Sequence, residues 1–366
     1  MNNNRKQPSA GRLESLDILR GLDLFMLVFA QPVIVALLSV WHPEWTDILA
    51  RQLDHETWEG FRCWDLVMPL FLFMTGAAMP FSMSKFRRQD GGVDHAAYVK
   101  IMRRFLVLFL LGMVVQGNLL YFRADWLRVY TNTLQAIATG YLVSAMIILH
   151  CRGWRGQLMA TAALLLVYSV PMSLAGDWSM TGNFAYRVDE LILGRLRGDL
   201  SYTWVWSSLT FSVTVMLGVF AGRIIKEGPR DRMTATALRL ALTGAALVAA
   251  GWLWSFHTPV IKRIWTGSMT LLSGGYCFLL MALFYWLVDV KGHSRGLGWL
   301  KIYGMNSILA YMLGEVVNFR SIAASLTFGL EPWLGDFYGV WLTFANFFIL
   351  FFLLRHLYRH RIFLKI

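Results

Sequence analysis

The sequence has few charged residues. Asp, Glu, Lys and Arg occupy 15% of its 366 positions, whereas soluble domains average about 25%. So few charges cannot coat a soluble surface, and 57% hydrophobic residues are too many for a disordered chain. Glycine (31) and proline (9) are modest in number and follow no period, which excludes collagen-like and fibrous proteins. The remaining class is an integral membrane protein.

Cysteine is also scarce, and the common catalytic motifs are missing. Cys63, Cys151 and Cys277 are far apart, so they predict neither a disulfide framework nor a metal site. The sequence has no phosphate-binding loop, no dinucleotide fingerprint, no H-E-x-x-H and no nucleophile elbow. The net charge of +12 would suggest nucleic acid in a soluble protein. Here the basic residues lie between apolar runs, so we expect no nucleic-acid partner and no metal.

Long apolar runs are what the sequence does contain. A run of roughly 17 or more apolar residues can cross a bilayer as a helix, and runs without alternation favour helices over strands. We therefore predict an all-α, polytopic helical bundle with about ten transmembrane helices. The predicted spans are Leu16–Val40, Leu66–Ser84, Phe105–Phe122, Val129–His150, Gln157–Gly176, Leu200–Gly222, Leu240–Phe256, Ile264–Val288, Trp299–Val317 and Phe337–Leu354.

The lysines and arginines predict the orientation of the bundle. With the N-terminus inside, 24 of the 34 fall on the inner side and 10 on the outer side, as the positive-inside rule requires. Ten spans return the C-terminus to the same side, so both termini are predicted to be cytoplasmic. Residues 1–11 are predicted to be a disordered cytoplasmic tail, and residues 12–366 to form one transmembrane domain.

Ionisable residues at membrane depth mark candidate functional sites. Asp17, Arg20 and Asp23 lie near the inner end of the first span. Asp17 and Arg20 are three residues apart on one helix face and can pair. A snorkelling ion pair at the interface is one interpretation. The other is an anion site in which Arg20 holds a phosphate in bidentate fashion.

A second polar cluster lies on the predicted outer surface. His55 sits among acidic and aromatic residues between Asp54 and Gly60, and Trp64 and Asp65 follow at the start of the second span. Asp65 can cap its helix or interact with the helix dipole, or it can orient an imidazole. A loop histidine taken alone is more often structural than functional, so His55 needs further support.

Other polar side chains gather near the same predicted level. Gln31 precedes Pro32 inside the first span, where the proline predicts a kink and a buried amide is typical of a cavity or helix contact. The following residues lie at the outer ends of later spans: Asn132, Gln135, Trp265, Thr266 and Glu315.

Several stretches resemble a known family. RLESLDILRG, beginning at Arg12, is similar to the opening motif of membrane acyltransferases. H-x-x-W-x-G from His55, followed by D-L-x-x-P-x-F-x-F-x-x-G from Asp65, resembles the bacterial branch of the heparan-alpha-glucosaminide N-acetyltransferase family. NTLQAIA from Asn132, IWTGS from Ile264 and GMNS from Gly304, with Tyr311, agree in order.

The resemblance implies a function. Members of this family are polytopic, take acetyl-CoA from the cytosolic side and acetylate the free amine of a glucosamine residue across the membrane. It implies an enzyme of the bacterial inner membrane with a periplasmic sugar or glycan acceptor, and it allows a homodimer. The family's essential histidine maps to His55. A second active-site position, Asn in the family, maps to Gln31, which keeps the amide on a longer side chain.

These residues suggest a mechanism. Histidine, with an unperturbed pKa of ~6.5, suits proton removal at neutral pH, so His55 is our candidate general base for the amine. An acetyl-histidine intermediate is the alternative. Asp65 would orient His55, and Gln31 would donate to the oxyanion.

The other assignments are binding roles. The predicted contacts to the phosphates of CoA are Arg20, Arg103 and Arg104. The predicted substrate-binding residues are Asn132, Gln135, Trp265, Thr266 and Glu315.

Other function classes remain open from the sequence. A kinked first helix and buried charges also suit an amino-sugar transporter, although no clear repeat relates the two halves. An O-acyltransferase acting on surface glycans would use the same donor. A purely structural subunit fits poorly with the outer polar cluster.

Overall fold

The computed structural model describes residues 13–41, 43–83, 86, 92–151 and 153–364. In this part of the chain the protein is helical, and the only β pairing is two isolated bridges. The predicted all-α polytopic bundle is therefore confirmed. The predicted tail at residues 1–11 lies outside the described residues, so its disorder stays a prediction.

Thirteen helical elements organise the described chain. In order they are α1 (Glu14–Val40), α2 (Cys63–Met83), α3 (His95–Val115), α4 (Thr133–His150), α5 (Trp154–Ala175), α6 (Phe184–Leu193), α7 (Ser208–Glu227), α8 (Arg230–Ser255), α9 (Gly267–Val290), α10 (Gly298–Met305), α11 (Ser307–Val316), α12 (Phe319–Thr327) and α13 (Tyr338–Arg359). Eight stretches of the described chain are long and apolar enough to cross a membrane: α1, α2, α4, α5, α7, α8, α9 and the run Phe319–Arg359 that includes α12 and α13.

Two of the ten predicted spans differ from these eight. The third is displaced, because α3 begins at His95, includes three basic residues and ends at Val115. The ninth is interrupted at Asn306, whose φ of −120° and ψ of 38° separate α10 from α11. Eight of the predicted spans thus coincide with apolar helices, while the total of ten and the side of the termini stay predictions.

Glycines let the central helices touch. A Cβ on Gly218 of α7 would overlap the backbone carbonyl of Phe73 on α2, and a Cβ on Gly76 would overlap that of Val215. Small residues at such contacts bring helix backbones together in membranes, where packing replaces the hydrophobic effect. The α2–α7 pair forms the centre of the bundle and fixes the helix that follows Asp65.

The helix α1 packs in the same way against α10. A Cβ on Gly21 would overlap the Leu300 carbonyl, and one on Gly304 would overlap that of Asp17. A π-helical turn, Met26–Ala30, widens α1 just before Gln31, and such turns often occur at functional sites. Arg20 and Gln31 therefore lie on one helix, and most of its buried side chains belong to its first half, up to Leu24.

Large apolar side chains cover the outside of the bundle. Leu110 on α3, Val167 on α5, Leu242 on α8 and Phe352 on α13 are all exposed. Helices that satisfy their own backbone hydrogen bonds can present such side chains to lipid. The surface is therefore that of a multi-pass membrane protein.

Candidate active site

His55 lies between α1 and α2, in the loop that follows a short helix at Asp47–Gln52. The loop is joined to the segment before α9, because the Gly60 N–H donates to the Val260 carbonyl at 2.8 Å and Glu59 forms a bridge with Ile261. Gly60 has a φ of +129°, a conformation that favours glycine. This pairing brings together two loops that are more than 200 residues apart in sequence.

Asp65 holds the imidazole of His55. Its Oδ1 lies 2.9 Å from His55 Nδ1, and its Oδ2 accepts the backbone N–H groups of Arg62 at 3.0 Å and Glu56 at 3.2 Å. The Asp65 side chain is fully buried, whereas 38% of the His55 side chain is exposed. A buried carboxylate with three such donors fixes the ring with its Nδ1–H towards Asp65. The lone pair of Nε2 is then left for chemistry.

The site also contains Lys262, for which the sequence predicts only a position on the outer side of the membrane. Lys262 Nζ lies 2.9 Å from His55 Nδ1, 3.4 Å from His55 Nε2 and 3.4 Å from Asp65 Oδ1. A donor in the ring plane would be much farther from one ring nitrogen than from the other. The ammonium therefore lies against the face of the imidazole and shares the Asp65 carboxylate with it.

Burial changes the acidity of this lysine. The Lys262 side chain is only 7% exposed, and this desolvation lowers the pKa of Lys262 to about 8, with Asp65 partly opposing the shift. A buried charge is tolerated when it is paired, and Asp65 supplies the pair. No sequence signal identified Lys262, because its partners come from loops far away in the chain.

Trp265 and Thr266 build the loop that presents Lys262. Thr266 Oγ1 donates to the Pro259 carbonyl at 2.9 Å, accepts the Ile261 N–H at 3.1 Å and caps α9. Trp265 is buried with a φ of +53°, and its Nε1 donates to Thr214 Oγ1 at 3.1 Å. Neither side chain lines the cavity beside His55. The structure gives both a positioning role, and their predicted contact with substrate stays a prediction.

A cavity of about 350 Å³ opens beside His55 and Lys262. Its aromatic wall contains Trp64, Phe71, Tyr202, Trp204 and Tyr311. Its polar wall contains Gln116, Thr131, Asn132, Thr133, Asp199 and Glu315. Mostly apolar walls with a few placed polar groups are typical of small-molecule sites. We call it the imidazole cavity.

Of the predicted substrate-binding residues Asn132, Gln135 and Glu315, two reach this cavity. Asn132 and Glu315 line it, whereas Gln135 does not. The Asn132 side chain also caps α4 by accepting the N–H groups of Leu134 and Gln135. Gln135 is buried and accepts the Thr131 N–H at 2.7 Å, so its amide holds the chain that leads into α4. Glu315 is the most available of the three for a ligand, since it is exposed.

Gln31 lies near the His55 loop but outside the imidazole cavity. Its Nε2 donates to the carbonyl of Leu53 at 3.3 Å, two residues before His55. The amide thus supports the backbone that carries His55. Its predicted role as an oxyanion donor stays a prediction.

A second cavity, of about 260 Å³, lies next to the first. Phe71, Thr133 and Tyr311 line both cavities, so these three side chains form the partition between them. Arg20 and Arg104 line only the second, and we call it the arginine cavity. Two of the three predicted phosphate contacts are therefore brought together, whereas Arg103 is exposed and lines neither cavity.

The two arginines are held differently. Arg20 Nη2 donates to the Met74 carbonyl at 2.9 Å. The Arg104 guanidinium lies 4.4 Å from the centre of the Tyr141 ring, and its buried Nε has no hydrogen-bond partner among the described residues. A guanidinium beside a cavity suits an anionic ligand.

Comparison with known proteins agrees with the sequence motifs. A family described as "Domain of unknown function (DUF5009)" matches residues 12–118. The human protein heparan-alpha-glucosaminide N-acetyltransferase is 26% identical over an alignment of 366 residues, which covers 83% of this chain and 53% of that protein. The chain is similar to the heparan-alpha-glucosaminide N-acetyltransferases. The mouse protein of the same name is 24% identical, with 86% of this chain and 55% of that protein covered.

The resemblance inferred from the motifs is thus confirmed, and the chain spans about half the length of the curated relatives it matches. The motif residues also have clear places in the structure. Trp58 Nε1 donates to the Trp178 carbonyl at 2.8 Å, Gly60 joins the two site loops, and Phe71, Thr133 and Tyr311 form the partition. The resemblance therefore converges on the two neighbouring cavities.

The described residues contain no group of three or more His, Cys, Asp and Glu side chains arranged to hold a metal ion. Beside the imidazole cavity the structure brings together the imidazole of His55, the carboxylate of Asp65 and the ammonium of Lys262. Such a set can move a proton and stabilise a developing negative charge.

Proposed function

We propose that this protein is a membrane-embedded acetyltransferase. It moves an acetyl group from cytosolic acetyl-CoA to the amine of a glucosamine-type sugar on the outer, periplasmic side of a bacterial inner membrane. The observation that supports this proposal best is the pair of neighbouring cavities, one with His55, Asp65 and Lys262 and one with Arg20 and Arg104. The names of the relatives point to the same reaction.

The length of α1 between the arginine cavity and the His55 loop suits an extended donor. Arg20 and Gln31 are eleven residues apart on α1, which corresponds to about 16 Å of helix at ~1.5 Å per residue. The pantetheine arm of CoA is long and thin enough to cover that depth. Phosphates held by Arg20 and Arg104 then leave the thioester near the partition, within reach of an acceptor beside His55.

The site groups divide the chemistry between them. The sugar nitrogen attacks the thioester carbonyl carbon and forms the C–N bond while His55 Nε2 takes the proton from the amine. The C–S bond then breaks, and the departing sulfur receives this proton to become the CoA thiol. Asp65 stabilises the imidazolium that exists between these steps, in the role of a carboxylate that orients a catalytic histidine.

Lys262 supplies positive charge where the reaction develops negative charge. The tetrahedral intermediate carries an oxyanion, and preorganised donors in a site shielded from water stabilise it strongly. The Lys262 ammonium lines the imidazole cavity and contacts both ring nitrogens of His55. We therefore assign stabilisation of the oxyanion to Lys262 rather than to Gln31.

The imidazole cavity fits an amino sugar. Its aromatic wall offers flat apolar faces to a pyranose ring, and Asp199 and Glu315 place carboxylates in the same space. Those carboxylates attract the ammonium form of the acceptor, which releases one proton to water before the free amine attacks.

Acetyl transfer tests the proposal directly. Full-length protein in detergent receives labelled acetyl-CoA and either glucosamine or N-acetylglucosamine. We expect label in the product only with glucosamine, because only that sugar has a free amine. Equal labelling of both sugars would indicate O-acetylation, and uptake of amino sugar into proteoliposomes without acetyl-CoA would indicate a transporter. Proteoliposomes with donor and acceptor on opposite sides test the sidedness.

Omitting the acceptor separates two chemical routes. With a direct transfer, labelled acetyl-CoA alone leaves no stable label on the protein, and the rate law requires both substrates together. Label recovered on His55 would instead support an acetyl-histidine intermediate.

A further inference from the structure

The chain turns back after its last long helix. α13 ends at Arg359, and Arg361 has a φ of +56°, a left-handed conformation that is uncommon for a residue with a side chain. The Ile362 N–H donates to the Leu357 carbonyl at 2.9 Å, which closes the end of the helix. The turn sends the segment Ile362–Leu364 back towards the bundle, and we call this stretch the C-terminal segment.

One buried amide holds the C-terminal segment. Asn306, at the break between α10 and α11, is 2% exposed. Its Nδ2 donates to the Ile362 carbonyl at 3.1 Å, and its Oδ1 accepts the Leu364 N–H at 3.1 Å. The Asn306 side chain thus makes two hydrogen bonds with the backbone of Ile362 and Leu364, as a neighbouring β-strand would. A helix break with a buried amide would otherwise leave polar groups unsatisfied.

The held segment forms part of the arginine cavity. Leu364 lines it together with Arg20 and Arg104, and so do Met305 and Ser307 on either side of Asn306. The other walls come from α1, α2, α3 and α4 and from the short helices α10 and α11. The C-terminal segment is fastened more lightly, because Ile362 is 54% and Leu364 is 42% exposed.

The small volume of the cavity favours a movable wall. About 260 Å³ is less than the roughly 300–1,000 Å³ of sites that enclose small molecules. The nucleotide of CoA is bulky and carries several phosphates, so this space is too small to enclose it with every wall in its present place. The packed helices resist such a shift. The C-terminal segment is tied to the break between α10 and α11 through the Asn306 amide, and its Ile362 and Phe363 contact the end of its own helix, at Leu357 and Tyr358.

We propose that the C-terminal segment, latched by Asn306, is a movable wall of the donor site that closes over the phosphate-bearing nucleotide of an acyl-CoA. This inference rests on the proposed function and extends it to the binding of the donor. Asn306 acts as a positioning residue through the backbone of Ile362 and Leu364. Opening the wall admits the donor, and closing it keeps the phosphates beside Arg20 and Arg104.

Chemical labelling tests whether the segment lies at the donor. In a protein whose accessible thiols are removed by Cys63→Ser and Cys151→Ser, Leu364→Cys is treated with a maleimide. Desulfo-CoA, which has no reactive thiol, should slow the labelling about tenfold. Arg359→Cys, on the exposed end of α13, is the matched control and should label at the same rate with or without the ligand.

Kinetics tests the latch. We expect Asn306→Ala to raise the KM for acetyl-CoA at least fivefold, while kcat and the KM for glucosamine stay within twofold. The KM of Asn306→Asp for acetyl-CoA should lie between those of the unaltered protein and Asn306→Ala. If Asn306→Ala does not fold, a chain ending at Arg361 should show the same rise. Asn318→Ala, which removes only the cap of α12, should leave the donor KM unchanged.

The outcomes separate this inference from the proposed function. Stabilisation of the full chain by desulfo-CoA, with unprotected Leu364→Cys and an unchanged donor KM in Asn306→Ala, would overturn the movable wall alone. No stabilisation of the full chain by desulfo-CoA would overturn the acetyl-CoA donor and the wall with it.

Discussion

The two cavities are built in different ways. At the imidazole cavity, Asp65 is buried and contacts a ring nitrogen, two backbone N–H groups and an ammonium. At the arginine cavity, the Arg104 Nε has no hydrogen-bond partner among the described residues, and the C-terminal segment is tied to the bundle through the Asn306 amide. One site is braced by hydrogen bonds before any ligand arrives, and the other presents two arginines to a ligand.

The difference corresponds to what each site must do. Proton transfer requires atoms within hydrogen-bond distance in a fixed orientation, because small displacements cost large factors in rate. Binding a flexible, multiply charged donor requires positive charge and a way in and out. Variants in the imidazole cavity should therefore change kcat, whereas variants in the arginine cavity should change the KM for the donor.

The largest effect should come from His55→Ala. Removing the proposed base should lower kcat by about 10³-fold, within the roughly 10²–10⁴-fold that general acid–base catalysis supplies. Steady-state acetylation of glucosamine measures the change, with the melting temperature as the check on folding. His257→Ala, an exposed histidine in the neighbouring loop, is the control. Wild-type turnover in folded His55→Ala would remove the catalytic assignment.

The next effect should come from Asp65→Asn. The amide keeps the size of the side chain but cannot stabilise an imidazolium, so we expect kcat to fall about 10²-fold, within the range that general acid–base catalysis supplies. The KM for acetyl-CoA should stay within twofold, because Asp65 belongs to the imidazole cavity and not to the arginine cavity. Asp125→Asn, in an exposed loop, provides the control for a lost carboxylate. A change confined to the donor KM would contradict the comparison.

Lys262 predicts a pH dependence. Burial lowers its pKa to about 8, so the ammonium is lost as the pH rises through 8, and kcat should decline above that value. Lys262→Arg keeps its charge at these pH values and should lose this alkaline decline. Lys262→Met should lower kcat by about 10²-fold at pH 7, as removal of one oxyanion donor does. The pH profiles of kcat for the unaltered protein and the two variants test this prediction. An identical alkaline decline in Lys262→Arg would exclude Lys262 as the cause of the decline.

Neighbouring arginines test the other cavity. Arg104→Gln should raise the KM for acetyl-CoA about tenfold, since a hydrogen bond to a charged group contributes about 1.5–3 kcal/mol. Turnover at saturating donor should change little. Arg103→Gln removes the same charge one residue earlier, outside both cavities, and should behave like the unaltered protein. Equal effects of the two variants would show that general charge, rather than the cavity, binds the donor.

The smallest effect should come from Gln31→Ala. The lost hydrogen bond to Leu53 should reduce the free energy of unfolding by about 1 kcal/mol, and kcat should fall less than tenfold. Thermal melting and turnover measured together test this expectation. A loss of about 10²-fold in kcat with an unchanged melting temperature would return Gln31 to the oxyanion role.

The sequence carried much of the site but not its full composition. His55 and Asp65 were expected together because a carboxylate ten residues away at a helix start can face a loop histidine. Arg20 and Arg104 were expected at one anion site, and they line one cavity. Lys262 was missed, because its contact with His55 crosses 207 residues. Trp265 and Thr266 were chosen for their position, and the structure uses them to shape the loop instead.

The sequence by itself determined the class of protein and which segments form the apolar helices. Apolar runs and scarce charges require lipid, because the backbone must satisfy its hydrogen bonds within helices there. Tertiary structure decided which polar groups meet, since contacts between loops depend on packing such as that of Gly76 and Gly218. It also placed the C-terminal segment beside Arg20. Local patterns encode local structure, whereas the partners of a buried charge depend on every helix that surrounds it.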